Sequence, residues 1–353
     1  MIPVNTQHSW RDDVGATIRE TATEGAGMRR GGRHYSWNFG NGRKLEYAYK
    51  CALQRKYGGG HFATVKAHSD RCRIFARWCA SGIGPGIKDA REIHNPILYD
   101  YAAHLSKLVE QGEIAVSTAV NRLSSVNIGM EALRGDRHVR VPSPSEALEM
   151  QRVRVRQSVP QGQDRAQVQQ IVDVLCDREQ LRAAAMIRMA RATGMRLRET
   201  ILADLPRLIR EADKLGKINI QDGTKGGRGG ASAPRWIGVD EHVRDALRFA
   251  AKVSPAGSRN MIALSESYAN VLQRVAGASR DVLHKNALKG FHELRAAYAC
   301  ERYEQITQHP APVNGGRCYA INPRLDCEAR IQISYELGHG RIDVAAAYIG
   351  GRV

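Results

Sequence analysis

Four short segments in the second half of the sequence carry side chains that could act on a phosphate ester. They are TGMR (193–196), TKGG (224–227), HELR (292–295) and ELGH (336–339). Each supplies an arginine, a lysine or a histidine, and AAAYIG places Tyr348 nine residues after His339 (348 − 339). In HELR, the i, i+3 spacing places His292 and Arg295 on one face of a helix.

The chemistry that suits these groups is attack on a phosphodiester. The attacked phosphorus passes through a pentacoordinate state whose oxygens carry additional negative charge. Fixed arginine and histidine donors stabilise that charge, and no metal ion is needed if enough donors are supplied. The reaction also requires a nucleophile and a proton donor for the departing oxygen. The four segments and Tyr348 contain groups of each kind.

Taken together and in this order, the segments and the tyrosine resemble the active-site motifs of the tyrosine recombinase, or phage integrase, family. A single TGxR or HxLR occurs by chance, whereas the full set, with a hairpin between the first and third segments, is hard to obtain accidentally. The resemblance covers the C-terminal domain, and the helical first half is similar to the family's core-binding domain. It implies a site-specific integrase of a mobile element, which cleaves and rejoins DNA through a 3′-phosphotyrosyl intermediate.

The resemblance also implies a role for each phosphate-binding residue. Arg196 and Arg295 would hold the non-bridging oxygens of the scissile phosphate, because a planar guanidinium matches phosphate geometry. His339 would donate a further hydrogen bond to the same phosphate. No cofactor and no metal ion are implied.

The remaining roles concern proton transfer and the nucleophile. Lys225 would protonate the leaving 5′-hydroxyl, although Arg228 lies in the same loop. His292 would accept the proton of Tyr348 or donate to the phosphate. Tyr348 would form the covalent bond, since the other tyrosines of this region do not have its spacing: Tyr298, Tyr303, Tyr319 and Tyr335.

The charge of the chain points to the same partner. Lysine and arginine number 53 against 36 aspartate and glutamate residues, which gives a net charge of +17 and a pI of about 9.8. Such an excess is self-repulsive unless a polyanion neutralises it, and double-stranded DNA is the expected one. No signal peptide or membrane span is evident, so we expect a cytoplasmic protein, associated with the bacterial nucleoid when it is bound to DNA.

The first half of the sequence predicts a basic arm followed by a helical DNA-binding domain. Residues 1–42 show no regular period and are expected to be partly irregular, and the domain is expected over 43–153. Apolar stripes predict helices at 44–57, 61–81, 95–110 and 115–134. The basic side chains expected to contact DNA are Lys66, Arg71, Arg73, Arg77 and Arg122, with Arg228 from the second half.

A linker is predicted at 154–166 and a catalytic domain at 167–353. Asp177 and Gln180 have the spacing of a capping box for a helix at 178–193. Alternation in 217–221 and 233–239 around a glycine-rich loop predicts a β-hairpin. Further helices are predicted at 240–252, 266–277, 288–304 and 328–337. The fold class is therefore mostly α, with a mixed α+β catalytic domain containing a small antiparallel sheet. The resemblance implies that the two domains form a C-shaped clamp on DNA.

Two features depart from the family pattern. The 43 residues between Arg295 and His339 exceed the usual connection, and the proline- and glycine-rich stretch at about 304–330 predicts an inserted surface element. Only five residues follow Tyr348, whereas many relatives use a longer tail to couple protomers. We therefore expect the insertion to take over some protomer contact. The resemblance implies a dimer on each DNA site and a tetramer on two, with DNA-bending or directionality factors as further partners.

The chain has seven cysteines, an odd number, and no CxxC motif. This pattern predicts reduced thiols. Cys318, Cys327 and His309 have no usual zinc spacing, so no metal site is expected. Two alternative functions remain at the level of sequence. One is a type IB topoisomerase-like enzyme that relaxes DNA, and the other is an inactive architectural DNA-binding protein.

Overall fold

The computed structural model describes residues 33–224, 234–317 and 321–352, and this part of the chain is mostly helical. It divides into two compact units, with the boundary between Arg152 and Val153. Each unit has its own hydrophobic core. The predicted fold class, mostly α with one small antiparallel sheet, is confirmed. Most of the predicted arm lies outside the described residues.

Within the described residues, the first unit contains four long α-helices and one short one. They are α1 (Leu45–Tyr57), α2 (Phe62–Ala80), α3 (Asn95–Glu110), α4 (Val116–Arg134) and α5 (Pro144–Ala147). The apolar stripe predicted on α2 is buried as expected: Val65, Cys72, Phe75 and Cys79. Gly129 allows α4 to approach α1 and α2 closely, since a Cβ there would lie 2.7 Å from the Tyr49 ring and 2.8 Å from the Cys72 sulfur.

The second unit begins with helices α6 (Arg165–Asp177), α7 (Leu181–Thr193), α8 (Leu197–Leu202) and α9 (Leu205–Leu215). Strands β1 (Lys217–Asn219) and β2 (Trp236–Gly238) then pair antiparallel, with Ile218 opposite Ile237. The remaining helices are α10 (Glu241–Val253), α11 (Tyr268–Asn270), α12 (Ala276–Lys285), α13 (Phe291–Thr307), α14 (Pro323–Glu336) and α15 (Ala346–Ile349). The largely apolar α7 is almost completely buried and packs against α6, α10 and α13.

The predicted capping box at Asp177 is wrong. Asp177 is the last residue of α6, and α7 begins only at Leu181, after Glu179 with a φ of +58°. Gln180 precedes α7 but makes no side-chain cap. The apolar face of α6 is buried through Leu175, and α6 therefore continues to Asp177, the position at which the local motif predicted the cap of the next helix.

Residues of the predicted linker pack against the second unit. The Arg156 amide donates to the Ala346 carbonyl (2.9 Å), and its guanidinium contacts the Glu293 carboxylate (2.5 Å). The Gln161 amide donates to the same carboxylate. Residues 156–161 are therefore held by the helices that carry the candidate site.

The stretch predicted as an inserted surface element, about 304–330, is only partly exposed. α13 continues to Thr307 and α14 begins at Pro323, so much of 304–330 is helical. Ala311 and Ile321 are buried in a small core that also contains Tyr348. The prediction of a surface element is wrong for these positions, because proline and glycine content indicates a loop but not which side chains the loop buries.

No helix in the described ranges combines the length and the apolar character that crossing a membrane requires.

Candidate active site

The corner between α7 and α8 presents Arg196. Gly194 ends α7 with a φ of +64°, and a Cβ there would lie 2.5 Å from the ring of Tyr298, so glycine is required on two grounds. Arg196 is the N-cap residue of α8, and its amide and guanidinium both donate to the Glu199 carboxylate at 2.7 Å. Its side chain is 27% exposed, which leaves part of the guanidinium open to a ligand.

Arg295 lies in α13 with its side chain fully buried. Its two terminal nitrogens donate to the carbonyls of Gly194 and Leu337, and its Nε lies 3.3 Å from the Tyr348 hydroxyl. Burial and the nearby charge of Arg235 lower the pKa of Arg295 to about 10, so the group remains a cation at neutral pH. The carbonyls fix the guanidinium plane between the α7 corner and the end of α14.

Glu199 is the anion at the centre of this arginine cluster. Its carboxylate is completely buried and receives hydrogen bonds from Arg196 and Arg235. Burial alone would raise its pKa, but the charges of Arg235 and Arg295 and the hydrogen bond from the Arg196 amide outweigh burial and lower it. The sequence analysis missed Glu199, although its position three residues after Arg196 was a usable signal for a contact across one helical turn.

Arg235 was also missed by the sequence analysis. It precedes β2, is 3% exposed, and donates to the Glu199 carboxylate (2.7 Å) and to the Glu336 and Gly194 carbonyls. The sequence did contain a signal for its burial. Arg235 lies two residues before the buried Ile237, so both side chains are on the same, inward face of the strand. An arginine at an inward strand position requires a buried partner, and here the partner is Glu199.

His339 follows the end of α14, between two glycines with φ values of +65° and +64°. Its Nε2 lies 2.9 Å from the Tyr348 hydroxyl and 3.4 Å from a terminal nitrogen of both Arg196 and Arg295. Burial, followed by the charges of the two arginines, lowers the pKa of His339 to about 4. The imidazole is therefore neutral at pH 7, and its Nε2 can accept the proton of the tyrosine hydroxyl.

Tyr348 lies on α15, a single turn of four residues, and is 4% exposed. Its ring centroid is 5.2 Å from that of His292, and the Arg295 guanidinium lies 5.4 Å from the centroid. His292 is more exposed than its neighbours, and desolvation together with the Arg295 charge lowers its pKa. The hydroxyl thus contacts His339 and the buried Arg295, while the His292 ring lies beside the tyrosine ring.

The structure brings together Arg196, His292, Arg295, His339 and Tyr348 within the second unit. Lys225 and Arg228 lie outside the described residues. The rival tyrosines occupy other environments: Tyr298 donates to Glu336, Tyr303 donates to Asp326, and Tyr335 is 62% exposed, while Tyr319 lies outside the described residues. Across the described ranges, no group of three or more histidine, cysteine, aspartate or glutamate side chains is arranged to hold a metal ion.

The basic residues predicted to contact DNA from the first unit fall on different faces. Lys66 and Arg73 pair with Asp70, and Arg77 pairs with Glu46. Two others lie elsewhere. Arg71 donates to the Ser125 hydroxyl on α4 at 3.4 Å, and the charge of Arg122, also on α4, contributes to lowering the pKa of His104 after burial.

The lowered pKa of His339 predicts a pH-dependent stability. Its pKa is about 4 in the folded chain against 6.5 in the unfolded chain, so the unfolded state binds more protons between these values. Stability from this group is complete above pH 6.5 and is lost as pH falls towards 4. The full shift corresponds to ~3 kcal/mol, and partial exposure reduces it to ~1–2 kcal/mol. Denaturant unfolding at pH 7 and pH 5 should show a smaller loss in His339→Asn; an equal loss in both proteins would contradict this assignment.

A buried Arg295, a partly exposed Arg196, a neutral His339 and the Tyr348 hydroxyl lie close together, and such groups could act on a phosphate ester. Comparison with known protein families gives a match to part of the chain. Residues 154–301 match the Integrase family model, so this part of the chain is similar to integrases. The matched range includes Arg196 and Arg295 and ends before His339 and Tyr348.

Solved structures share the fold. The Tn1549 transposon integrase in complex with a circular intermediate DNA is 15% identical, with a TM-score of 0.51, covering 87% of this chain and 95% of that one. The same integrase in complex with transposon right end DNA gives the same identity and TM-score, with coverages of 86% and 94%. No curated protein matches the sequence.

Proposed function

We propose that this protein is a site-specific recombinase, an enzyme that cleaves and rejoins DNA through a covalent bond between Tyr348 and the 3′-phosphate, without a metal ion. One observation carries the proposal. The Tyr348 hydroxyl lies 2.9 Å from the Nε2 of a neutral His339 and 3.3 Å from the Nε of a buried Arg295. A nucleophile, a proton acceptor and a fixed cation therefore meet at one point.

The reaction follows from these contacts. The Tyr348 hydroxyl gives its proton to an imidazole as the oxygen attacks the phosphorus, the P–O5′ bond breaks, and the 5′-oxygen takes up a proton. His339 is the acceptor within hydrogen-bond distance in the free protein, whereas the resemblance gave His292 either that role or the role of a phosphate donor. His292 then serves as a phosphate donor, and Lys225 is the proposed acid for the 5′-oxygen. Rejoining reverses these steps with a different 5′-hydroxyl.

The arginines stabilise the charge that develops on the phosphate oxygens. Arg295 is held by two carbonyls, and Arg196 is held by Glu199 but remains partly exposed. Because Glu199 is tied in turn to Arg235, the donors do not need to reorganise when the charge appears. Arg235 and Glu199 are in this proposal positioning residues, which act through Arg196 and Arg295.

Double-stranded DNA is the proposed partner, because the net charge is +17 and the Tn1549 integrase of the same fold was solved in complex with DNA. We further propose a dimer on each site and a tetramer on two sites, with DNA-bending or directionality factors assisting. An enzyme with this substrate acts in the cytoplasm, at the bacterial nucleoid.

In the first unit, we propose that the face shared by α2 and α4 contacts DNA more strongly than the opposite face of α2. Among the described residues, no carboxylate forms an ion pair with Arg71, whereas Arg73 is paired with Asp70. Arg71→Ala is therefore expected to weaken binding of mixed-sequence duplex DNA several-fold and to reduce the salt slope by ~1.

Arg73→Ala is the matched control for this comparison, because it removes the same charge from the same helix. It is expected to have a smaller effect on DNA affinity, since Asp70 already offsets part of its charge. Fluorescence anisotropy at several salt concentrations measures both variants. Equal losses, or a greater loss in Arg73→Ala, would reverse the assignment of the faces.

The experiment that tests the reaction is covalent capture. The protein is incubated in EDTA with a pool of nicked duplexes of randomised sequence, in which cleavage releases a short 5′-hydroxyl fragment. Wild-type protein should give DNA-linked protein on a denaturing gel, and sequencing of the captured DNA identifies the preferred site. Absence of any linked species with the pool would contradict the proposed reaction. Relaxation of a single plasmid without exchange between two captured sites would indicate the topoisomerase alternative.

A further inference from the structure

A second buried ionic cluster of the second unit is centred on Asp326 and contacts the residues that follow Tyr348. Asp326, on α14, is almost fully buried, and its carboxylate receives hydrogen bonds from Tyr303 (2.7 Å), Arg330 (2.8 Å) and Arg352 (2.9 Å). These donors come from α13, from the next turn of α14, and from the residues that follow α15. One carboxylate thus joins three segments of the chain.

Arg330 connects this cluster to the backbone just beyond the tyrosine. Its terminal nitrogens donate to the carbonyls of Gly350 (3.1 Å) and Gly351 (3.4 Å), two and three residues after Tyr348. Gly350 has a φ of +91°, a conformation that side-chain-bearing residues rarely adopt. The backbone at these glycines is intrinsically free, so the arginine supplies the constraint that the glycines lack.

A helix as short as α15 cannot fix its own position. Four residues form one turn, and helix formation of that length is unfavourable without external contacts. On the N-terminal side, Ser334 of α14 donates to the Arg341 carbonyl. On the C-terminal side, the constraint comes from Arg330 and from the pair between Arg352 and Asp326.

We propose that Asp326, Arg330 and Arg352 form a latch that positions the nucleophile in cis. The latch holds the segment after α15 against α14 of the same chain, and thereby aims the Tyr348 hydroxyl at the chain's own arginine cluster. This inference rests on the proposed role of Tyr348. It also gives part of the stretch at 304–330 a function different from the protomer contact expected from the sequence, because Asp326 and Arg330 bind this chain's own C-terminal residues.

The test compares Arg330→Ala with Arg302→Ala. Arg302 is the matched control because it also pairs with a carboxylate of α14, Glu336, but has no contact with residues 350–352. Hydrogen exchange of peptides covering 346–352 measures the latch without reference to activity. Arg330→Ala is expected to accelerate exchange there by ~10-fold or more, because a locally anchored segment opens when its anchor is lost. Arg302→Ala should leave that exchange unchanged.

Covalent capture then measures the consequence for the nucleophile. With a saturating concentration of the DNA site identified by capture, Arg330→Ala is expected to form the covalent species ~10–100-fold more slowly. The reason is that a misplaced Tyr348 hydroxyl is no longer aligned with the phosphorus. DNA affinity should stay unchanged, since Arg330 is buried and bonds to Asp326 and to the backbone of its own unit. A loss of affinity with an unchanged rate at saturation would contradict a positioning role.

Arg352→Ala keeps the test decisive if Arg330→Ala does not fold. Arg352 is largely exposed, so its removal leaves the Asp326–Arg330 pair in place while freeing one contact to the segment. A several-fold smaller change in the same direction is expected in both measurements. Unchanged exchange at 346–352 in a folded variant would overturn the latch. Failure of wild-type protein to capture DNA would instead overturn the proposed reaction, while the exchange result would still decide whether the latch exists.

Discussion

Tyr348→Phe protein is expected to form no covalent complex with DNA while binding DNA as tightly as the wild type. The substitution removes only the hydroxyl, so the ring keeps its place beside His292 and beneath the Arg295 guanidinium. The hydrogen bonds to His339 and Arg295 are lost, which costs about 1 kcal/mol of the free energy of unfolding. Covalent capture in EDTA measures the reaction, and anisotropy measures DNA binding.

Tyr335→Phe is the matched control for this result. Tyr335 is 62% exposed on α14 and has none of the contacts of the proposed nucleophile, so its variant should capture DNA at the wild-type rate. A Tyr348→Phe protein that still becomes linked to DNA would show that another residue attacks the phosphorus. Loss of the wild-type signal in EDTA would contradict the metal-independent mechanism.

Arg295→Lys is expected to slow covalent capture by ~10²–10³-fold, the loss typical of removing one fixed donor to a developing oxyanion. Lysine keeps the positive charge near Glu199 but replaces a planar fork with a single ammonium. It cannot hold the Gly194 and Leu337 carbonyls and contact the Tyr348 hydroxyl at the same time. The decrease should appear in the rate at saturating DNA, since Arg295 is buried and contributes little to the initial encounter.

Arg302→Lys controls for the same chemical change on the same helix. Arg302 pairs with Glu336 and makes no contact with the tyrosine or the other arginines of the site. Thermal unfolding of both variants separates a loss of fold from a loss of rate. A folded Arg295→Lys protein that cleaves at the wild-type rate would exclude Arg295 from the stabilisation of the transition state.

The motif residues were predictable because their spacing is local. TGMR and HELR place Arg196 and Arg295 on helix ends and faces that a 3.6-residue period defines, and both reach the site in the structure. The buried network around them was not predictable in the same way. Glu199 and Arg235 are 36 residues apart, and only the folded chain shows that they form one ion pair.

The second cluster was missed for a different reason. Proline and glycine between α13 and α14 predicted an exposed element, and the i, i+4 spacing of Asp326 and Arg330 is equally typical of a pair on a helix surface. Burial of that pair depends on the residues after α15 folding back onto α14, a contact between distant segments. Helical periodicity cannot distinguish a solvent-facing ion pair from one that the chain end covers. The same limit explains why Arg71 and Arg73 were grouped together.

The concealment of the Tyr348 hydroxyl has a consequence for when the enzyme can act. In the free protein this oxygen is hydrogen-bonded to His339, the proposed proton acceptor, and to Arg295, a donor proposed to bind the scissile phosphate. The tyrosine hydroxyl and the phosphate therefore compete for the Arg295 guanidinium. An arriving phosphate must displace the hydroxyl, and that displacement is also what frees the oxygen to approach the phosphorus. The Tyr348 hydroxyl thus stays bound within the site until DNA displaces it. Binding of the DNA phosphate and activation of the nucleophile are therefore coupled without any additional switch.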